Sequence, residues 1–293
     1  MEEACNVIFI RDLGNPEGPV LLPDNSWLVT EMRLDRGWVT HISSDGRTRR
    51  VVAKTGRPNG LTIDKNGGIW VAESLTPALL RMTLEGDYEV FLTECDGEPF
   101  LFPNDLRFGP DGALYLTDSG ILVKEWAQLD GEQRQRAQLD GRVYRIEVKT
   151  QSITKLDSGL PFANGIAFDA AGQLYVSATV SGMVYRYPRR RGRFGPREAF
   201  GDVINPDLPA RFRGPDGMAF GLDGNLYVTV SRQGDVAVLD TRGSVVKRII
   251  LDGLSPTNIA FGPPGSQKIY VTEQGIGQFE VHDVETDGLP LHG

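Results

Sequence analysis

Six oxygen-bearing side chains, Glu17, Asn59, Asn104, Asn164, Asp216 and Asn258, recur in register with one strand motif. The strands read SWLVTE, GIWVAES, ALYLTDS, QLYVSAT, NLYVTVS and KIYVTEQ. Each polar residue lies 11 positions ahead of its strand residue Leu28, Trp70, Tyr115, Tyr175 or Tyr227, and 12 ahead of Tyr270 in the last copy. Two of the six are carboxylates and four are carboxamides; none offers sulfur or imidazole. A hard divalent cation takes such a set: Ca²⁺ accepts roughly six to eight oxygens, Asn carbonyls and waters included. Glu17 and Asp216 would balance the charge of one such ion. Without it, two carboxylates converging on one channel repel each other and are costly to desolvate. The oxygen donors favour Ca²⁺, while Mg²⁺, Mn²⁺ and Zn²⁺ occupy similar sites. A lone Asn or Asp before a strand is an ordinary turn former. Six in one slot are not explained that way, least of all Glu17, since Glu is a poor turn residue.

The elements that must position these residues follow from the repeat. The strand residues 28, 70, 115, 175, 227 and 270 are spaced 42, 45, 60, 52 and 43 apart. Periods of about 40–50 residues with only strand signals indicate β-propeller blades of four strands. After each polar residue comes a short apolar run (GLTID, DLRFG, GIAFD, GMAFG). A Gly/Asp turn such as GPDG or GLDG follows, and then the aromatic, β-branched strand. Third strands alternate polar and apolar residues, as in GRVYRIEV (141–148), and outer strands such as VVKRIIL (245–251) follow. The outer strand of the fourth copy, REAFGDV (197–203), is weak. The sixth copy runs out after its third strand, and CNVIFIRDL (5–13) can supply the missing one and remove an open sheet edge. The expectation is an all-β fold: one six-bladed propeller over residues 1–293, closed by an N-terminal strand.

In a propeller the first strand of each blade lines the central channel, so the six polar residues form a ring near one mouth. The second strand returns to the same mouth. Its end carries Glu31, Glu73, Asp118 and Glu273, with Ala178 and Val230 in the remaining copies. These carboxylates are candidates for a second ring facing substrate, or for caps on backbone N–H groups of the adjacent loops. The longest spacing places an insertion at 119–142, read as a short helix or ordered loop. Leu122, Trp126 and Leu129 would be its apolar face and the segment a lid over the mouth, or else a surface excursion without ligand contact.

The net charge of −8 disfavours nucleic acid as a partner. The one basic run, PRRRGRFGPR (188–197), reads as a solvated hairpin tip. No apolar run approaches the ~20 residues of a membrane span. The start MEEACNVIF lacks a signal peptide's basic region, and Cys5 and Cys95 make no disulfide framework or metal-ligand spacing. A cytoplasmic location is expected. The three histidines, His41, His282 and His292, lie outside the polar slots, against a His-based triad or zinc site. Oligomeric state is not legible.

The chain resembles the regucalcin/gluconolactonase family, and more distantly the paraoxonases, over nearly its whole length. The resemblance rests on PEGP (16–19), RPNG (57–60), FPNDLRFGPDGALYLTD (102–118), FANGIAF (162–168) and PDGMAFGLDGNLYV (215–228). It implies metal ligands at Glu17, Asn164 and Asp216. Asn104 would lie beside the metal, as a ligand or as a substrate contact, with Asn59 and Asp105 secondary. It implies a metal-dependent lactonase acting on a small lactone, with a cation polarising the carbonyl and Asp216, or else Glu17, as general base. Catalytic roles then fall to Asp216 and Asn104, and substrate contacts to Asn59, Glu73, Phe102, Asp118, Trp126 and Asn258. Several relatives carry Arg where this chain has Phe102, which points to a less polar substrate here. The paraoxonase His pair has no counterpart. A phosphotriesterase on the same site, a propeller with carbon–carbon bond or isomerisation chemistry, and a non-catalytic binding propeller remain as rivals.

Overall fold

A computed structural model describes residues 7–292. It contains six antiparallel four-stranded sheets, each a blade whose first strand is innermost. The innermost strands are Pro16–Leu21, Pro58–Ile63, Pro103–Phe108, Ala163–Phe168, Gly214–Phe220 and Pro256–Phe261. Each contacts the innermost strands of its two neighbours, and the last contacts the first, so the ring closes. The sixth blade takes its outer strand from Val7–Ile10, paired antiparallel with Gln278–Asp283, as the closing-strand expectation requires. Cys5 and Asn6 of that expected segment lie outside the described residues. The weak outer strand of the fourth blade forms at Glu198–Asp202, and the basic run makes a small hairpin, Arg189–Arg190 with Arg193–Phe194.

The repeat's local grammar has a physical cause. In four blades the Asp of the first turn bonds both the backbone and the aromatic that follows. Asp64 Oδ1 accepts the Asn66 N–H at 2.8 Å and Asp64 Oδ2 the Trp70 indole N–H at 3.0 Å. Tyr115, Tyr175 and Tyr227 donate their hydroxyls in the same way to Asp111, Asp169 and Asp223. The turn between Asp111 and Tyr115 needs left-handed backbone at Gly112 (φ +75°), where a side chain is disfavoured. Each Tyr ring then packs edge-on against a Phe of the next blade's innermost strand: Tyr115 on Phe168 (5.0 Å), Tyr175 on Phe220 (4.9 Å), Tyr227 on Phe261 (5.1 Å). The apolar core is accordingly six clusters, each filling a seam between neighbouring blades.

Hydroxyls lock the inner ring. Thr30, Thr117, Ser177 and Thr229 each donate to the carbonyl of the slot residue in the next blade, namely Asn59, Asn164, Asp216 and Thr257, at 2.6–2.8 Å. Thr257 donates to the Pro16 carbonyl at 2.7 Å, joining the last blade to the first.

That network corrects the sixth copy. Pro58 pairs with Glu73 and Leu61 with Val71 in the second blade; Pro256 pairs with Glu273 and Ile259 with Val271 in the sixth. The residue equivalent to Asn59 is therefore Thr257, and Asn258 occupies the next position along the strand. The loop GPPGSQ is two residues longer than its counterparts rather than one, which shifted the spacing read from sequence.

The 119–142 insertion folds as two short helices, α1 (Val123–Gln128) and α2 (Gly131–Arg136). Asp130 starts α2 with a capping box, exchanging hydrogen bonds with Gln133.

Candidate active site

A cavity of about 520 Å³ opens at the mouth where the slot residues lie. Its wall includes Glu17, Asn59, Asn104, Asn164 and Asp216 together with Thr257, one side chain from the same strand position of every blade. Each innermost strand breaks its pairing register just beyond this position, which bends the strand and presents the side chain to the axis.

The next position along the strand forms a second layer: Gly18, Gly60, Asp105, Gly165, Gly217 and Asn258. Four are glycines because neighbouring strands crowd the axis there. A Cβ on Gly60 would stand 2.6 Å from Asp105 Oδ1, and one on Gly217 would collide with the Asn258 side chain. The two exceptions belong to opposite blades and meet across the channel, Asn258 Nδ2 approaching Asp105 Oδ2 at 3.5 Å. Asn258 also donates to Glu17 Oε2 at 3.2 Å. Its Oδ1 accepts the Ile259 N–H at 2.8 Å. Asn258, expected to contact substrate, is buried off the cavity wall and donates to Glu17.

Three carboxylates thus converge on the axis. Burial raises the pKa of Glu17 well above the usual carboxylate range, and repulsion from Asp105 and Asp216 adds to it. Asp216 is likewise raised by burial; the Asn164 amide opposes this, while Asp105 reinforces it. Asp105 is raised by burial against the pull of Arg107. Its Oδ1 accepts the Leu106 N–H at 2.8 Å and its Oδ2 faces the Ile166 N–H at 3.3 Å, so Asp105 is already engaged. Sequence reading ranked it as secondary, although its place beside Asn104 in FPND and the glycines in the same layer marked it.

The amides are oriented from outside the cavity. Asn104 Nδ2 donates to Ser119 Oγ at 2.9 Å and Asn164 Nδ2 to Thr179 Oγ1 at 3.0 Å. Both carboxamide oxygens therefore turn away from those hydroxyls. Asn164 Oδ1 is buried and has no hydrogen-bond partner among the described residues. A buried acceptor left bare costs about 1–3 kcal/mol. An oxygen-seeking cation fits this arrangement: one orphaned amide oxygen and two carboxylates whose proton affinity is raised by burial and by the nearby Asp105. Among the described residues no three His, Cys, Asp or Glu side chains form a metal-ligating group by themselves, so carboxamides would have to complete the shell.

The second set of carboxylates, read as facing substrate or as capping loop N–H groups, turns to the loops. Glu73 and Asp118 are not on the cavity wall. Glu73 Oε1 accepts the N–H groups of Arg57 and Leu75, and its Oε2 the Thr55 hydroxyl. Asp118 accepts the N–H groups of Leu101 and Gly120. Glu273 binds Ser255 and Ile276 in the same manner. Glu31 binds Gly14 and Arg36. These side chains shape the mouth loops, because a loop turning at a strand end leaves backbone donors that a carboxylate satisfies.

Phe102, Trp126 and Asn59 do line the cavity. Trp126 of α1 packs on Phe162 at 4.4 Å and on Phe212 at 5.7 Å, and Arg134 of α2 covers its ring at 4.9 Å. The insertion therefore roofs part of the cavity, with Val123, Lys124 and Ala127 also on the wall. Leu122 and Leu129 are half-buried but off that wall.

Arg57 was missed by the sequence reading. It lines the cavity, lies over the Phe102 ring at 5.3 Å and donates to Ser74 Oγ at 2.8 Å. Burial lowers its pKa to about 10, against the attraction of Glu73, Glu17 and Asp216. The motif RPNG held the signal, but only the tertiary structure lays the second blade's guanidinium over the third blade's Phe102. The absence of Arg at position 102 thus does not leave the cavity without a cation.

Comparison with known proteins agrees with this geometry. The family model described as SMP-30/Gluconolactonase/LRE-like region matches residues 78–275. The chain is 29% identical over 271 residues to "Pentonolactonase XacC" of Haloferax volcanii, covering 88% of this chain and 81% of that protein. It is 27% identical over 184 residues to a gluconolactonase of Zymomonas mobilis, covering 58% of this chain and 50% of that one. It is also 29% identical over 183 residues to "Protein STRICTOSIDINE SYNTHASE-LIKE 3" of Arabidopsis thaliana, of whose length it spans 43%. Among solved structures, a gluconolactonase of Xanthomonas campestris superposes with a TM-score of 0.79 at 24% identity, over 96% of this chain and 90% of that one. A calcium-binding regucalcin of Agrobacterium tumefaciens gives 0.78 at 19% identity, over 99% and 98%. At such identities these likenesses speak for the fold. With the family model spanning more than half of its residues, the chain belongs to the SMP-30/gluconolactonase/LRE-like family.

Proposed function

We propose that this protein hydrolyses a small lactone, such as a sugar lactone, in the cavity bounded by Glu17, Asn104, Asn164 and Asp216, with a divalent cation bound there. The observation that carries the reading is the buried, unpartnered Asn164 Oδ1 beside a cavity lined by Glu17 and Asp216, two carboxylates of raised pKa, in a chain of this family. Relatives named pentonolactonase, gluconolactonase and lactonase support the substrate class.

Glu17, Asn164 and Asp216 would hold the cation, with Asn104 as a further oxygen, and Ca²⁺ suits this donor set best. When bound, such a cation supplies Lewis-acid polarisation of a carbonyl and stabilises developing negative charge. The remaining work falls to the chain's own groups. Asp216, a carboxylate on the cavity wall, is the base that takes a proton from the attacking water. Asn258 holds Glu17 in place. Ser119 and Thr179 fix the faces of Asn104 and Asn164. Arg57 presents a guanidinium to ring hydroxyls or to the carboxylate product. Trp126 and Phe102 give the ring an apolar surface and limit water around it.

The test is hydrolysis of gluconolactone and pentonolactones, measured by proton release, with and without chelator. Ring opening should disappear with chelator and with Asp216→Ala, and return to the chelated wild type with Ca²⁺. Activity surviving both treatments would remove this reading. An organophosphate triester in the same panel separates lactonase from phosphotriesterase chemistry.

A further inference from the structure

The channel has a second chamber beyond the Asp105–Asn258 contact. Three positions past the slot residue, the innermost strands carry Val20, Thr62, Arg107, Ala167, Ala219 and Ala260. Five of these six, all but Thr62, line a separate cavity of about 330 Å³. Its outer wall comprises apolar strand ends, such as Phe168 and Phe220, and the C-terminal segment from Asp287 to His292. That segment is pinned across the mouth: Leu289 N–H donates to the Phe220 carbonyl and Leu222 N–H to that of Asp287, both at 2.8 Å.

Arg107 is the cation of this apolar chamber. It is 7% exposed and makes no hydrogen bond or ion pair with any described residue. The nearby Asp105 attracts it but already has its oxygens turned to Leu106, Ile166 and Asn258. The other acid at this mouth, Asp287, accepts the Gly265 and Gln267 N–H groups. A guanidinium with open donors, set in an apolar wall, calls for a planar anion that takes two parallel hydrogen bonds and carries an apolar body. We propose that the lower chamber binds a small monocarboxylate with an apolar tail: the carboxylate on Arg107, the tail among the alanines and phenylalanines, and the C-terminal segment closing over it. The site is separate from the lactone cavity and independent of that assignment.

Octanoate, with octanol as the tail without the charge, tests the site by calorimetry and by the shift in melting temperature. Octanoate should bind once per chain, at least tenfold tighter than octanol. Arg107→Met should remove that tenfold preference while octanol binding persists. Ala219→Phe, which fills the chamber from another blade, should abolish binding of both even if Arg107→Met does not fold. Equal affinity for octanoate and octanol, or unchanged octanoate binding in Ala219→Phe, would overturn the proposal. So would octanoate binding that is lost in Arg57→Met, since that places it in the upper cavity.

Discussion

The upper and lower chambers of the channel are built by the same six strands, yet they are chemical opposites. The upper one gathers Glu17 and Asp216 beside carboxamides, and the lower one gathers alanines around a single arginine. Between them lies a layer of four glycines, with Asp105 and Asn258 meeting over the axis. Repeating strands around an axis make each strand position a ring. Changing the residue type at one position therefore changes a whole layer and leaves the scaffold alone. Polar side chains gather in the upper layer, where hydroxyls of the preceding blade tie the slot residue's backbone in four of the six blades.

The sharpest way to break the contrast is Asp216→Ala, which removes the proposed base and a cation ligand together. Lactone hydrolysis should fall by about 10³-fold or more in kcat/KM, with a far-ultraviolet spectrum like the wild type. Retention of activity within tenfold would show that the upper layer is not the reacting one. Asn164→Leu comes next. It deletes the orphaned oxygen, so Ca²⁺ affinity should fall about 10–100-fold, read by calorimetry without any turnover.

Arg57→Met sharpens the contrast on the substrate side. It should raise KM about 10–100-fold, as expected for a lost charged hydrogen bond of about 1.5–3 kcal/mol, with a smaller effect on kcat. An unchanged KM would return Arg57 to a structural role.

The carboxylates also give a pH signature. Glu17 and Asp216 have raised pKa values, so the folded chain keeps protons that the unfolded chain has lost. Their contribution to stability is fully present below about pH 4, the ordinary carboxylate range, and is lost as pH rises through the raised values. The melting temperature of the chelated protein should therefore fall as pH rises from 5 to 8. Added Ca²⁺ should restore more at pH 8 than at pH 5. An opposite slope would mean that burial and neighbouring charge do not raise these carboxylates in the folded state.

Glu73→Ala carries the smallest expected effect on activity. It strands the N–H groups of Arg57 and Leu75, at a cost in stability of about 1–3 kcal/mol for each donor left bare. Hydrolysis per folded molecule should change less than the stability does. A loss as large as that of Asp216→Ala would restore Glu73 to the substrate-facing role first expected of it.

Much of this was legible in the sequence because the repeat is covalent. The spacing of Trp70, Tyr115, Tyr175 and Tyr227 behind Asn59, Asn104, Asn164 and Asp216 encodes one blade at a time. Blade number, closing strand and the upper ring follow from counting. The failures fall where counting stops. The two extra residues in GPPGSQ hid Thr257 behind Asn258, since loop length is free where strand register is not. Glu73 and Asp118 looked like site residues, because type and spacing do not reveal whether a carboxylate's oxygens are already taken by backbone N–H groups.

The sequence by itself determined the six-bladed ring and five of the six residues of the upper layer, because the repeat fixes where each innermost strand begins. Only the tertiary structure decided which blades stand opposite each other. Blade closure sets Asp105 against Asn258, lays Arg57 over Phe102 and puts Arg107 in a largely apolar chamber. Those pairings join residues 153 and 45 positions apart along the chain, distances that no local pattern spans.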